Sequence, residues 1–171
     1  MILVTVGTHP APFDRLLREA DRLHQAGTLT ADEPSEEVVI QSGASTYRCR
    51  AARQFAYCPG PELDALLIRA RLLISHGGIG TLLPAARRGQ HVIAIPRLRR
   101  YREHHDDHQR DVCDELARRH ALFTSPDVAD LAALLRRDPA TLRPFTMSCT
   151  IREQVRADLL AFQTRLQAAQ A

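Results

Sequence analysis

Short apolar runs rich in β-forming residues alternate along this chain with amphipathic stretches of helical spacing. The first run spans residues 2–6, and apolar residues then recur at helical spacing from Phe13 to Leu23. Repetition of strand and helix in this order is typical of a parallel sheet flanked by helices. We therefore predict the α/β class, as a single Rossmann-like domain. Strands are predicted at residues 2–6, 38–41, 54–58, 72–75, 91–95 and 121–124.

One domain accounts for residues 1–171, because no internal repeat or linker interrupts the alternation. After the first helix, further helices are predicted at residues 63–70, 80–88, 108–119, 127–137 and about 150–168. The last of these carries an apolar stripe from Ile151 to Leu166. That stripe either packs on the protein's own sheet or forms a docking surface for a partner.

The composition excludes several classes of protein. Apolar residues make up 44% and charged residues 25%, the balance of a folded globular chain. No run approaches the roughly 20 apolar residues of a membrane span, and the first residues lack the basic flank of a signal peptide. Four cysteines without metal-ligand spacing indicate reduced thiols in a cytoplasmic protein. We expect no nucleic-acid partner, because the net charge is only +3 and aromatic residues are few.

The glycine-rich segment SHGGIGT, residues 75–81, lies between a predicted buried strand and a predicted helix. Glycine lets the backbone approach a ligand closely, and a helix start offers unpaired N–H groups and the positive end of its dipole. Such a turn suits a diphosphate group. A plain tight turn between strand and helix would need glycine too, and the Walker lysine of an ATPase loop is absent.

A second glycine-bearing loop, Gly7-Thr8-His9, follows the first predicted strand. In an open parallel sheet, this loop and residues 75–81 both fall at the carboxyl edge, where ligands bind. The Thr8 hydroxyl can donate to a phosphate, and His9 adds charge when it is protonated. The alternative is a local cap formed by Thr8, with an exposed histidine beside it.

The segment EHHDDHQ, residues 103–109, holds three histidines and three acids. Carboxylate and amide groups at a helix start suit sugar hydroxyls, which need paired donors and acceptors. Zinc is an alternative, because His104 and His108 have the spacing of helical metal ligands. A solvated charged loop is the third interpretation. We favour hydroxyl recognition and expect no metal ion.

Taken together and in this order, five segments resemble the C-terminal half of the family 28 glycosyltransferases, which have the GT-B fold. The segments are VTVGTH at 4–9, IQSGAS at 40–45 with Tyr47 after it, ISHGGIGT at 74–81, IPR at 95–97 and EHHDDHQ at 103–109. The likeness is strongest to short members of the family. These are the cytosolic subunit of the eukaryotic UDP-N-acetylglucosamine transferase of dolichol-linked oligosaccharide synthesis and its bacterial exopolysaccharide counterparts.

The resemblance implies a UDP-sugar donor domain, half of a GT-B fold, that works without a cofactor. The residues it implies at the donor diphosphate are Gly7, Thr8, Gly77, Gly78, Gly80 and Thr81. Those it implies at the donor sugar are Glu103, His104, Asp107, His108 and Gln109. Pro59 and Gly60 would lie near uracil. No catalytic residue is assigned in this chain.

A complete GT-B enzyme needs two Rossmann-like domains, about 300 residues, and this chain supplies one. The resemblance implies that a membrane-anchored subunit carries the acceptor site and the catalytic base. That partner would recruit this cytoplasmic chain to the inner face of the membrane. We therefore expect the donor-binding subunit of a two-chain hexosyltransferase, which adds sugar from a UDP-sugar to a lipid-linked acceptor in bacterial exopolysaccharide synthesis.

One position departs from the family pattern. The family commonly has glutamate three residues after the threonine of the glycine-rich segment, where it holds the ribose hydroxyls, and this chain has Pro84. Proline in a first helical turn costs no backbone hydrogen bond, so the fold is expected to be unaffected. Ribose binding then depends on another group or on a modified donor site, or it is weakened.

Two other functions remain open. A non-catalytic nucleotide-sugar-binding or regulatory subunit would keep the fold with a degenerate donor site, and Pro84 favours it. A metal hydrolase would instead bind zinc through His104, His105 and His108.

The loop before the histidines is rich in arginine. These side chains either pair with a uronate carboxylate, meet anionic lipid headgroups or are solvated. They are Arg97, Arg99, Arg100 and Arg102.

Overall fold

The computed structural model describes residues 1–50 and 52–145, which form a six-stranded sheet with every neighbouring pair parallel. The strands are β1 Ile2–Thr5, β2 Val38–Gln41, β3 Arg53–Phe55, β4 Leu72–Ser75, β5 His91–Ala94 and β6 Phe123–Thr124. Their order across the sheet is β3-β2-β1-β4-β5-β6. The predicted α/β, Rossmann-like class is therefore confirmed.

Helices cover both faces of this sheet. The α-helices of the described residues are α1 Asp14–Gln25, α2 Gly60–Arg69, α3 Ile79–Arg87, α4 His108–Arg118 and α5 Leu131–Leu135. Short 3₁₀ turns lie at Arg99–Tyr101, Val128–Asp130 and Pro139–Thr141.

Side chains of each central strand alternate between two cores. In β1, Ile2 and Val4 pack in a core with residues of α1 and α5, whereas Leu3 packs with Leu82 of α3 and Leu116 of α4. Every residue of β1, β2 and β4 is buried as a result. This two-sided burial explains why the strands are apolar runs without polar alternation.

Most of the predicted elements differ from the observed ones by a few residues at an end, and two of them differ in ways that matter for the site or the core. The third strand, predicted over residues 54–58, ends at Phe55, and the chain leaves the sheet before Pro59, the N-cap of α2. The helix predicted over residues 127–137 is a 3₁₀ turn followed by the five residues of α5. The helix predicted at about 150–168 lies outside the described residues, and the single domain over residues 1–171 stays a prediction.

Pro84 lies inside α3 and not in its first turn. Since α3 begins at Ile79, a residue at position 84 would ordinarily donate its amide to the carbonyl of Gly80. The expectation that this proline costs no backbone hydrogen bond is therefore wrong. A proline in a helix interior destabilises the helix by about 3 kcal/mol.

The order of the strands reverses at the centre of the sheet. From β1 the chain adds strands on one side, and from β4 it adds them on the other. At such a point the loops that leave the carboxyl ends diverge and form a crevice for ligands. The two predicted glycine-bearing loops follow β1 and β4, so the fold places both at this crevice. Within residues 1–50 and 52–145, no helix is long and apolar enough to span a membrane.

Candidate functional site

A cavity of about 270 Å³ lies at the carboxyl edge of the sheet, between the loops that follow β1 and β4. It is lined by Thr5, Gly7, Thr8, Gln41, Tyr57, Cys58, Leu63, His76, Gly78, Gly80 and Thr81. The six residues predicted at a diphosphate are all in this lining except Gly77. The structure therefore brings together two loops that are about 70 residues apart in the sequence.

The glycines at positions 77, 78 and 80 serve different purposes. A Cβ on Gly78 would lie 2.2 Å from Nε2 of His76, and one on Gly77 would lie 2.6 Å from Cβ of Gln109. Packing therefore requires glycine at both positions. A Cβ on Gly80 would meet no heavy atom within 4 Å, so the space beside the first turn of α3 is open. In this turn the Thr81 amide donates to the Gly78 carbonyl at 3.0 Å, whereas the amides of Ile79 and Gly80 have no carbonyl three or four residues earlier in the helix. The positive end of the helix dipole lies here.

A buried glutamine, which sequence reasoning missed, holds the loop after β1. Gln41 Oε1 accepts hydrogen bonds from Thr5 Oγ1 at 2.6 Å and from the amide of Gly7 at 3.1 Å. Its Nε2 donates to the carbonyls of Gly7 at 3.1 Å and Ala56 at 2.7 Å. Gly7 has a φ of 75°, a conformation that glycine adopts without strain. The loop that presents Thr8 to the cavity is thus fixed in place.

A neutral histidine forms part of the cavity wall. His76 is 8% exposed, and its amide donates to the carbonyl of Thr5 at 3.1 Å. Burial is the main cause that lowers the pKa of His76, to about 4, and the positive charge of Arg97 is the second cause. The ring is therefore uncharged at neutral pH and adds no positive charge to the cavity.

The loop after β5 is anchored by Arg97, whose side chain is fully buried. Its guanidinium donates to the carbonyls of Val6 at 2.8 Å, Ala11 at 2.8 Å and Glu103 at 3.1 Å. Burial lowers the pKa of Arg97 to about 10, which leaves it charged at neutral pH. Because the guanidinium is held by backbone carbonyls inside the protein, Arg97 is not free to pair with a uronate.

Two residues predicted at the donor sugar form hydrogen bonds within the protein. The Glu103 carboxylate is buried and accepts from Arg15 Nε at 2.7 Å and from a backbone amide of its own loop at 3.1 Å. Gln109 Oε1 accepts from the amides of Gly77 at 3.1 Å and Arg97 at 3.2 Å. Gln109 therefore ties the glycine-rich loop to the loop after β5. The role of both residues toward a sugar stays a prediction.

Between these two anchors, residues 104–108 form a cluster of histidines around one carboxylate. Asp106 contacts His104 Nδ1 at 3.0 Å, His105 Nε2 at 3.1 Å and, more closely, His108 Nδ1. The ring of His9, from the loop after β1, packs on His104 with centroids 4.5 Å apart. Burial, together with the neighbouring His105 and His108, lowers the pKa of His104. The cluster adjoins the cavity through His9, which follows Thr8.

The other predicted residues do not line the cavity. The Asp107 carboxylate accepts a hydrogen bond from the amide of Arg99 at 2.8 Å. Pro59 and Gly60 are exposed at the start of α2, directly after Tyr57 and Cys58, which do line the cavity. Tyr57 is 55% exposed and was not singled out from the sequence.

Comparison with known proteins places this architecture among glycosyltransferases. The model of the glycosyltransferase family 28 C-terminal domain matches residues 1–149. Among solved structures, the chain is similar to the glycotransferase of kitacinnamycin, with a TM-score of 0.58 and 16% identity, over 82% of this chain and 35% of that one. It is similar to the glycosyltransferase SnogD from Streptomyces nogalater, with a TM-score of 0.55 and 28% identity, over 83% and 36%.

A third similar structure is the Streptomyces sp. SF2575 glycosyltransferase SsfS6, complexed with thymidine diphosphate, with a TM-score of 0.50 and 20% identity over 82% and 33%. This chain thus spans about a third of the length of each of these solved structures. No curated protein matches its sequence.

Proposed function

This chain belongs to the glycosyltransferase family 28 C-terminal domains, and we propose that it binds the UDP-sugar donor of a glycosyl transfer reaction. The observation that carries the proposal is the cavity that the first turn of α3 borders, at the point where the strand order reverses. Helix N-termini bind phosphate groups through unpaired amides and the positive dipole end. No carboxylate occurs among the described residues that line the cavity, so nothing there repels an anion.

In this proposal the donor diphosphate lies between the first turn of α3 and the loop after β1. Gly80 and Thr81 contact it from the helix, and Gly7 and Thr8 contact it from the opposite loop. Gly77 and Gly78 contribute through the tight turn that brings the helix start into place. SsfS6, which has a similar fold, was crystallised with a nucleoside diphosphate.

The uracil and the sugar are proposed to lie on opposite sides of the diphosphate. Tyr57 offers an exposed aromatic face to uracil, close to Pro59 and Gly60. The sugar hydroxyls face the histidine-rich loop. The residues proposed there are His104, Asp107 and His108, with Glu103 and Gln109 holding the loop.

The mechanism requires that negative charge on the departing UDP be stabilised. The bond from the anomeric carbon to the phosphate oxygen breaks while the start of α3 offsets the charge that develops. An acceptor hydroxyl attacks the same carbon after a base has taken its proton. We place that base and the acceptor on a separate membrane-anchored subunit, which recruits this chain to the cytoplasmic face. The product is a lipid-linked bacterial polysaccharide or exopolysaccharide extended by one hexose.

Gly80→Ala tests the diphosphate site without disturbing the protein's own packing. The added methyl group meets no protein atom within 4 Å but occupies the open space beside the first turn of α3. We expect calorimetry to show UDP binding to the natural chain and at least about a tenfold weaker affinity in Gly80→Ala, a loss of about 1.4 kcal/mol. The melting temperature should be kept or raised, because alanine favours helix more than glycine does.

Arg88→Ala is the matched control, because it removes a positive charge at the opposite end of α3 and leaves the first turn intact. UDP affinity should be unchanged in this variant. A natural chain that binds no UDP, or a Gly80→Ala variant that binds it equally well, would overturn the proposal. Gly78→Asp is a poorer test, since any Cβ at that position collides with the ring of His76.

A non-catalytic nucleotide-sugar-binding or regulatory subunit is the second candidate. The observation that favours it is Pro84, which stands inside α3 where the resembling family has a ribose-binding glutamate. Substitutions at Pro84 distinguish the two candidates.

A further inference from the structure

We propose that His104, His105, Asp106 and His108 form a binding site for a divalent transition-metal ion such as zinc. Each of the four residues offers one ligand atom, and these atoms all lie within 4.8 Å of one another. This inference departs from the expectation of no metal ion and does not rest on the proposed donor function. His104 and His108 are also proposed to face the donor sugar, so a bound zinc ion and the sugar hydroxyls would compete for these two side chains.

The distances within the cluster are close to those of a metal site. In tetrahedral zinc sites with ligands at about 2.0–2.1 Å, neighbouring ligand atoms are about 3.3 Å apart. Asp106 Oδ1 lies 3.0 Å from His104 Nδ1, and Asp106 Oδ2 lies 3.1 Å from His105 Nε2. The first of these contacts is a hydrogen bond within the cluster, and the four ligand atoms are at most 4.8 Å apart. Side-chain rotations that shorten the longest separations by about 1.5 Å would bring all four around one ion.

The backbone that carries the cluster is anchored at both ends. On one side, buried Glu103 is bound by Arg15 and by a backbone amide of the loop, and its carbonyl accepts from Arg97. On the other side, buried Gln109 accepts from two backbone amides. Because both ends of this five-residue segment are fixed, its side chains stay near one another.

The chemistry of the donor set favours zinc and its neighbours over magnesium or calcium. Three imidazole nitrogens with one carboxylate oxygen suit a transition metal, whereas magnesium and calcium prefer all-oxygen sites. His105 and His108 have side chains 73% and 53% exposed, so an ion reaches the cluster directly from solvent. His104 is nearly buried and packs against His9, which fixes the inner ligand.

The test is a zinc titration of the tag-free, metal-stripped protein in competition with a chromogenic chelator. We expect a single zinc ion to bind per chain. His105→Ala combined with His108→Ala should weaken zinc binding by at least about tenfold, as loss of ligands at a metal site does. Both side chains are exposed, so this variant should keep its fold, which circular dichroism checks. Cobalt substituted for zinc should give the visible absorption of a tetrahedral site in the natural chain and not in the variant.

His120→Asn is the matched control, because His120 is exposed outside the cluster and asparagine tolerates its φ of 56°. Zinc affinity should be unaffected in it. The site is refuted if the natural chain fails to compete with the chelator, or if the double variant binds zinc as tightly as the natural chain. Neither result bears on UDP binding through α3, so failure of this proposal is separable from failure of the donor site.

Discussion

The imidazole ring of His76 explains why two positions that face the cavity are glycine. A Cβ on Gly7 would lie 2.5 Å from the ring of His76, and one on Gly78 would lie 2.2 Å from it. The ring therefore fills the space between the loop after β1 and the loop after β4, and it fixes the spacing of the two. A charge on this ring would be buried close to the guanidinium of Arg97.

The low pKa of His76 predicts that the fold loses stability in acid. Because the folded pKa is about 4 and the ordinary value is 6.5, the unfolded chain binds more protons between these pH values. The free energy of unfolding should therefore fall as the pH drops through this window, by on the order of 3 kcal/mol from His76. Urea denaturation at a series of pH values measures the slope.

His76→Gln identifies the contribution of this ring, since carboxylates and other histidines also titrate in acid. The variant should show a shallower loss of stability between pH 6.5 and 4 than the natural chain. An equal slope would contradict the prediction. Where the variant is too unstable to measure, the NMR shift of the His76 ring in the natural chain decides, because it should not titrate above pH 5.

The sequence permits part of this site to be predicted, and residues 77–80 show where prediction stops. The glycine-rich turn after a buried strand indicates a ligand loop from its composition alone. The sequence around Gly77 does not show that packing requires glycine there, because its contacts come from Gln109, 32 residues later. The burial of Arg97 is hidden for the same reason, since the carbonyls that bind it belong to distant loops.

At the scale of elements, Pro84 gives α3 a defect in its second turn, next to the turn that borders the cavity. Pro84→Ala should restore the missing backbone donor to the Gly80 carbonyl and raise the free energy of unfolding, by up to about 3 kcal/mol. Pro84→Glu restores the same donor and adds a carboxylate. Chemical denaturation of both variants measures the gain, and an unchanged or lower stability in Pro84→Ala would show that the proline does not disturb the helix.

UDP affinities of the same pair separate the two candidate functions. A carboxylate that hydrogen-bonds the ribose contributes about 1.5–3 kcal/mol, so a donor site impaired at this position should bind UDP at least about tenfold more tightly in Pro84→Glu than in Pro84→Ala. That result favours the non-catalytic subunit. Equal affinities indicate that other groups already hold the ribose, as an active donor subunit requires.

The elements themselves were largely predictable, because two-sided burial makes the central strands continuous apolar runs. β2 and β4 have the predicted bounds. The predicted bounds were less accurate where tertiary contacts determine the end of an element. Residues 56–58 look like the end of a strand. The last ladder pair of β3 is Phe55 with Gln41, whose side chain binds the carbonyl of Ala56, and the next two side chains line the cavity. α5 is shorter than its apolar spacing predicts.

At the scale of the whole molecule, three buried side chains bind the carboxyl-edge loops together. Gln41 joins the ends of β1 and β3, Gln109 joins the glycine-rich loop to the loop after β5, and Arg97 joins that loop to the residues before α1. These bonds are made within the described part of this chain. We therefore expect the proposed donor site to be preformed, so that UDP binds to the isolated chain.

Donor binding alone is not sufficient for transfer of the sugar. The acceptor hydroxyl must be aligned with the anomeric carbon and deprotonated, and alignment of two reactants supplies a large part of the rate. We expect the isolated chain to bind UDP-hexoses in calorimetry but to release UDP from them no faster than buffer does, with or without free sugars as acceptors. Gly80→Ala, which should bind the donor at least about tenfold more weakly, sets the background of the UDP-release assay when the donor is kept well below the dissociation constant of the variant. UDP release by the natural chain well above that background would show that this chain carries its own catalytic base, and the assignment of the base to a partner would then be wrong.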